Sequence, residues 1–139
     1  MPTCQLRSEH AELIRLSHQL RMHLYPAHAA RNDELLLCRD RLYKLLTAHL
    51  QREDDMLYPR LIDGPDPQLA KTAEDFTREV GGLRDSVEVW MAIWTHDAIT
   101  RGWDAFRAET EDLLDALSVR IVRENRELFP LIERMTVDA

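Results

Sequence analysis

Residues 49–60 read His-Leu-Gln-Arg-Glu-Asp-Asp-Met-Leu-Tyr-Pro-Arg, and residues 120–131 read Arg-Ile-Val-Arg-Glu-Asn-Arg-Glu-Leu-Phe-Pro-Leu. Both stretches place a glutamate four residues after their first position, and both contain leucine, an aromatic residue and proline in that order. Residues four apart on a helix lie one turn apart on the same face, where histidine and glutamate can share one metal ion. The first stretch keeps that pair as His49 and Glu53, whereas the second has Arg120 before Glu124. The sequence therefore predicts one intact ligand pair and one altered pair.

The composition of the 139-residue chain is that of an acidic globular protein, with 31% charged and 45% hydrophobic residues. Its length predicts a single domain over residues 1–139. No stretch approaches the roughly 20 apolar residues that cross a bilayer, and the N-terminus lacks the apolar core of a secretion signal. Cys4 and Cys38 form no disulfide framework, which favours a cytoplasmic location. The net charge of −7 argues against nucleic-acid binding, which needs clustered lysine and arginine.

Four segments have helical periodicity, with proline, glycine, asparagine and aspartate at the breaks. The first runs over about residues 4–25 and stops at Pro26. The second is capped by Asn32 or Asp33 and continues to about residue 62, with a kink expected at Pro59.

The break at residues 63–67 precedes the third segment, which extends to about residue 94. Gly81 and Gly82 lie inside that segment and are interpreted as a close helix–helix contact. A connection over residues 95–102 leads to the fourth segment, which ends near residue 131. Short connections between amphipathic helices predict an all-α, up-down-up-down antiparallel four-helix bundle.

Each segment has a stripe of residues predicted to face the bundle interior. The predicted stripes are Leu6, His10, Leu13, Ser17, Leu20 and Leu24; Cys38, Leu42, Leu45, His49, Glu53 and Met56; Phe76, Val80, Leu83, Val87, Trp90 and Trp94; and Phe106, Thr110, Leu113, Leu117, Ile121, Glu124, Leu128 and Leu131. Charged groups are rarely buried unless they are paired or bind metal. In antiparallel neighbouring helices, residues that are equally far along the chain from the shared connection lie side by side. By this comparison, the polar residues of the stripes fall at one level of the bundle. That level is near the end where the second connection lies.

These residues resemble the hemerythrin-like, or HHE cation-binding, domain family. The resemblance is carried by Glu9-His10 on the first helix, by residues 49–59 on the second and by residues 124–130 on the fourth. It implies a bundle that holds a non-haem di-iron site with histidine and carboxylate ligands. It also implies activities such as oxygen carriage, responses to nitric oxide or iron, and repair of iron–sulfur centres.

By this resemblance, His10, His49, Glu53 and Glu124 match ligand positions, whereas two histidines of the family are missing. The third helix has no histidine near Val80, and the fourth has Arg120. The resemblance therefore implies that the half of the site built by these two helices has lost its imidazoles. Glu79, beside the missing histidine, is a candidate substitute ligand. His18 is a rival to His10 on the first helix.

Two functions follow from these observations. In the first, the chain is a binding or sensing protein that holds iron or another divalent cation, one or none per chain, in an incomplete histidine–carboxylate site. In the second, the bundle is a metal-free structural or interaction module whose former ligand layer is held by Arg120 and the carboxylates. An enzyme is disfavoured because no further acid, base or nucleophile is visible in the layer. Homodimerisation through an exposed aromatic face stays open.

Overall fold

The computed structural model describes residues 2–25 and 33–138, and all of the regular secondary structure within those ranges is helical. The helices form four rods, which confirms the predicted all-α four-helix bundle. The first rod is helix α1, Pro2–Met22. The second joins α2, Asp33–Arg52, through a π-helical turn at Glu53–Leu57 to α3, Tyr58–Ile62.

The second half of the chain forms the other two rods. The third rod consists of α4, Pro67–Val80, and α5, Leu83–Ile93. A short helix α6, His96–Arg101, leads to the fourth rod. That rod joins α7, Trp103–Arg123, through a second π-helical turn at Glu124–Leu128 to α8, Phe129–Asp138. Both α1 and α5 contact α2 and α7, so each of these two rods packs against the same two neighbours.

Two predicted boundaries need correction. The first helix ends at Met22 rather than near Tyr25, while Pro26 and Asn32 lie outside the described residues. Gly81 and Gly82 interrupt the third segment and do not sit within a continuous helix. A side chain at Gly81 would collide with the carbonyl oxygen of Thr77, so glycine is required where α4 ends.

The buried residues form two apolar clusters. The larger cluster lies among α1, α2, α5 and α7 and contains Leu13, Leu46, Val87, Phe106 and Leu117 among others. The smaller cluster combines residues of α1, α3, α4 and α8 with residues of the second π-helical turn, and includes Leu6, Tyr58, Phe76, Phe129 and Ile132. Along α1, buried His10 falls between Leu6 of the smaller cluster and Leu13 of the larger one. A polar layer therefore separates the two apolar cores, at the level that the sequence predicted.

Most residues predicted to face inward are buried, and the exceptions follow from helix geometry. Met56 is exposed, Leu131 is half-buried and Ile132 is buried in its place. Met56 lies within a π-helical turn and Leu131 follows one; hydrogen bonds in such a turn join residues five apart instead of four, which shifts the inward-facing positions by one. Ser17, Leu45 and Val80 are also half-buried, whereas Leu16 and Leu46, next to the first two, are buried.

Within the described part of the chain, no helix is both long enough and apolar enough to cross a membrane.

Candidate metal centre

Each π-helical turn begins at one of the two buried glutamates. The backbone N–H of Tyr58 bonds to the carbonyl of Glu53, and that of Phe129 bonds to the carbonyl of Glu124. Pro59 follows Tyr58, and Pro130 follows Phe129. In an α-helix a proline has no N–H to donate to the carbonyl oxygen four residues earlier, and its ring would clash with that carbonyl group. Widening the helix by one residue relieves that conflict. The repeated proline thus explains locally why the helix is remodelled at the same place in both copies.

Four polar side chains from three rods converge in the layer between the two apolar cores. They are His10, His49, Glu53 and Glu124, and none of them is more than 1% exposed. Each offers one nitrogen or oxygen atom, and these four atoms all lie within 4.8 Å of one another. His10 Nε2 lies 2.9 Å from Glu124 Oε1. His49 Nε2 lies 3.3 Å from Glu53 Oε1.

Hydrogen bonds fix the orientation of both imidazole rings. His49 Nδ1 lies 2.7 Å from Glu9 Oε1, and Glu9 also accepts a hydrogen bond from Arg52. His10 Nδ1 lies 2.8 Å from Asn125 Oδ1. Because both partners are oxygen acceptors, each Nδ1 carries the proton in the neutral ring, and each Nε2 keeps its lone pair toward the cluster. A carboxylate or amide behind the imidazole is the usual arrangement for a metal-binding histidine.

The buried atoms that converge in this layer are not satisfied by hydrogen bonds. Within the described residues, His10 Nε2, His49 Nε2, Glu53 Oε2 and Glu124 Oε1 have no hydrogen-bond partner. When both rings are neutral with Nδ1 protonated and both glutamates are ionised, two nitrogen and two oxygen lone pairs face one another without a donor between them. Buried polar atoms left in this state are costly unless a proton or a cation joins them. Two imidazole nitrogens and two carboxylate oxygens form a donor set that suits iron, manganese or zinc.

Arg120 occupies the other side of the layer and is 1% exposed. Its Nη2 donates to Glu53 Oε1 at 3.0 Å and to Asp54 Oδ1 at 2.7 Å. Its Nε donates to Glu124 Oε2 at 3.3 Å, and its Nη1 donates to the carbonyl oxygen of Val80 at 3.1 Å. The guanidinium thus binds one oxygen of each buried glutamate and leaves the other oxygen free.

Two aromatic rings close the layer on the side of the smaller core. The Tyr58 ring lies 5.2 Å from the Arg120 guanidinium carbon, and its hydroxyl donates to Glu124. The Phe129 ring stacks on His10 with ring centres 5.1 Å apart. These aromatics occupy equivalent positions of the two repeated stretches, which places one beneath the guanidinium and the other beneath an imidazole.

The protonation of the cluster follows from burial and from neighbouring charges. Burial lowers the pKa of His49, but contact with Glu53 and Glu9 outweighs this effect and raises the pKa above its ordinary value. Burial raises the pKa of Glu53, and the charge of Glu124 adds to that effect. Burial also acts to raise the pKa of Glu124, but His10 and the charge of Arg120 outweigh it and lower the pKa. The two glutamates therefore differ: Glu124 is the more firmly ionised.

The structure brings together four of the five residues predicted as ligands. The exception is Glu79, which is exposed and accepts a hydrogen bond from Arg123 Nη2 at 3.4 Å. His18 is also exposed, so α1 places His10 rather than His18 in the cluster. Of the other histidines in the described ranges, His23 is half-buried and His96 is exposed, and neither belongs to the four-residue cluster; His28 lies outside those ranges.

Sequence reasoning gave no role to several residues that complete the layer. They are Glu9, Asp54, Tyr58 and Asn125. Each lies next to a cluster residue in the chain or within the repeated stretch, so the sequence contained a signal of proximity. It contained no signal of role, because the side chains adjacent to a ligand point toward the cluster only when the local helix geometry turns them there.

Comparison with known proteins gives one match. The family model for the hemerythrin HHE cation-binding domain matches residues 1–132. No curated protein and no solved structure matches the chain.

Proposed function

The chain belongs to the hemerythrin HHE cation-binding family, and we propose that it binds one divalent metal ion between His10, His49, Glu53 and Glu124. The observation that supports this most is the set of four converging atoms, one from each residue, that are buried without hydrogen-bond partners. Both imidazoles are held from behind with their Nε2 atoms toward the cluster, which prepares them to act as ligands before any metal arrives.

The charges around the layer also favour a divalent cation. Four carboxylates and two guanidinium groups are joined there by hydrogen bonds or ion pairs: Glu9, Glu53, Asp54 and Glu124 with Arg52 and Arg120. When all are ionised and the imidazoles are neutral, the carboxylates exceed the guanidinium groups by two charges. Buried charge without compensation is strongly disfavoured, and a divalent ion would neutralise this excess.

We propose a binding or sensing role for this site. All four cluster side chains are at most 1% exposed, which keeps them from contact with a dissolved substrate. Iron is the family's characteristic ion, and iron held there would supply a redox-active centre able to bind a small ligand. The chain's own residues would orient the imidazoles, hold Glu124 ionised and exclude water from the layer.

We expect the untagged protein, purified without a chelating affinity tag, to contain close to one equivalent of metal per chain. Removing the metal with a chelator should lower the melting temperature. Adding iron(II), manganese(II) or zinc(II) should restore it, because a ligand that binds the folded state at 100 times its Kd stabilises it by about 2.7 kcal/mol. Elemental analysis and calorimetry check the two expectations. A protein that carries no metal and gains no stability from any of the three ions would contradict the proposal.

We also expect the metal affinity to depend on pH through His49. Its pKa is raised in the metal-free protein, so the ring holds a proton at a pH where an ordinary histidine, with a pKa of about 6.5, has lost it. Metal must displace that proton, so the affinity should rise with pH, by up to about tenfold per unit, and continue to rise above pH 6.5 before levelling. Titrations from about pH 5.5 to 8.5 test this, with His18→Ala as the matched control. An affinity that is flat across the range would contradict it.

The rival function is a metal-free structural or interaction module. One observation favours it: Arg120 already binds one oxygen each of Glu53, Asp54 and Glu124. It leaves unexplained why the Nε2 atoms of His10 and His49 face the two buried glutamates without hydrogen-bond partners. The absence of metal after reconstitution would favour this rival.

A further inference from the structure

We propose that Arg120 is a built-in second cation, which fills one half of the layer and limits the site to one metal ion per chain. This inference rests on the proposed function and concerns how many ions the layer accepts. Arg120 stands in the second repeated stretch where His49 stands in the first, four residues before the buried glutamate. It is as fully buried as the histidines themselves.

Each buried glutamate lies between the guanidinium and a histidine, and Glu53 Oε1, which Arg120 binds, also lies 3.3 Å from His49 Nε2. Arg120 binds Glu53 Oε1 at 3.0 Å and Glu124 Oε2 at 3.3 Å. The other oxygen of each carboxylate has no hydrogen-bond partner, and Glu124 Oε1 and Glu53 Oε2 lie 2.9 and 4.0 Å from His10 Nε2. Each carboxylate therefore bridges the guanidinium and the histidine half of the layer, as a carboxylate would bridge two cations.

Further contacts hold the guanidinium in place. Asp54 accepts a second hydrogen bond from Nη2, the carbonyl oxygen of Val80 accepts one from Nη1, and the Tyr58 ring lies beneath the charged group. The Val80 contact joins the guanidinium to the end of α4, a helix that contributes no residue to the four-residue cluster. All three nitrogen atoms of the guanidinium have acceptors, so its position is defined by several elements at once.

A guanidinium at this position excludes a second metal for two reasons. It has no lone pair to offer a metal, and it stays charged at any pH at which the protein is folded. A divalent ion that entered the same half of the layer would be repelled by the guanidinium charge, since both cations would bind the same carboxylates. Arg120 is thus a positioning residue for the first ion: it holds one oxygen of each glutamate, so that the other oxygen is left for the metal.

The experiment counts metal ions in four proteins: the natural chain, Val80→His, Arg120→Lys and the double variant Val80→His/Arg120→His. Each is made metal-free, reconstituted anaerobically with excess iron(II), desalted and analysed for metal and protein. Circular dichroism and gel filtration establish that each variant is folded. The natural chain, Val80→His and Arg120→Lys should each hold one ion, because each keeps a cation at position 120. The double variant should approach two, because it replaces that cation with imidazoles from both helices.

The possible counts separate this inference from the proposed function. Two ions in the natural chain would overturn the inference and leave the proposed function standing, and this outcome does not depend on whether any variant folds. A folded double variant that stays at one ion would also overturn the inference. A natural chain that holds none would overturn the proposed function, and the inference with it.

Discussion

Replacing His49 with alanine should remove most of the bound metal and weaken the affinity of the remaining site by at least about 100-fold. Outer hydrogen-bond partners of metal ligands typically contribute 10–100-fold, and His49 Nε2 is itself one of the four atoms that converge in the layer. Glu53 cannot compensate alone, because one of its oxygens is bound to Arg120. Isothermal titration of the metal-free variant with iron(II) or zinc(II) measures the loss.

His18→Ala is the matched control for this experiment, because it removes a histidine of α1 that is exposed and lies outside the cluster. Its metal content and affinity should equal those of the natural chain. His10→Ala should resemble His49→Ala, since both rings present an unpartnered Nε2 to the same layer. If His18→Ala emptied the site while His10→Ala left it intact, the assignment of the α1 ligand would be wrong.

The fold could be predicted from sequence because apolar periodicity and chain breaks report directly on helices and their packing. The polar layer could be predicted for the same reason: His10, His49, Glu53 and Glu124 interrupt apolar stripes, and their predicted heights in the bundle agree to within about one to two helical turns. Their burial is observed at 1% exposure or less. The apolar periodicity of each helix, combined with the antiparallel arrangement of the bundle, is thus enough to locate the polar layer.

Two features of the site could not be predicted in this way. A constant helical period does not anticipate a π-helical turn, so Met56 and Leu131 were placed one position out of register. Glu79 was a candidate because it adjoins the missing histidine, but helix α4 ends one residue later, and its side chain pairs with Arg123 at the surface. Sequence proximity to a ligand position identifies a backbone location, whereas the direction of the side chain depends on where the helix ends.

The sequence also predicted that Arg120 would pair with buried carboxylates, and the structure agrees for Glu53 and Glu124 but not for Glu79. Asp54 takes the place expected for Glu79. Asp54 follows Glu53 directly, and the π-helical turn that begins there alters the direction of the side chains after Glu53. A helical wheel drawn at 3.6 residues per turn would not have placed the carboxylates of both Glu53 and Asp54 around one guanidinium.

Replacing Arg120 with methionine should destabilise the metal-free protein by about 3–5 kcal/mol, the typical result of removing one partner of a buried ion pair. Methionine fills much of the same volume, but it leaves Glu53 and Glu124 as buried carboxylates without their cation. Urea denaturation in the presence of a chelator measures the change. Arg123→Met, on the same helix, is the control: Arg123 is 26% exposed and pairs with Glu79 and Glu127, so its loss should amount to less than about 1 kcal/mol.

The loss caused by Arg120→Met should depend on pH in a direction set by Glu124. Its pKa is lowered in the natural protein with the help of Arg120, so its stabilising contribution is present above its unfolded pKa of about 4.5 and lost as the pH falls. Without the guanidinium part of that contribution is lost, so the two proteins should differ most at neutral and higher pH and converge only as the pH falls below about 4.5. Adding Glu124→Gln to Arg120→Met should recover part of the stability, because it removes one of the unpaired charges. A variant as stable as Arg123→Met at every pH would show that the guanidinium does not hold this layer together.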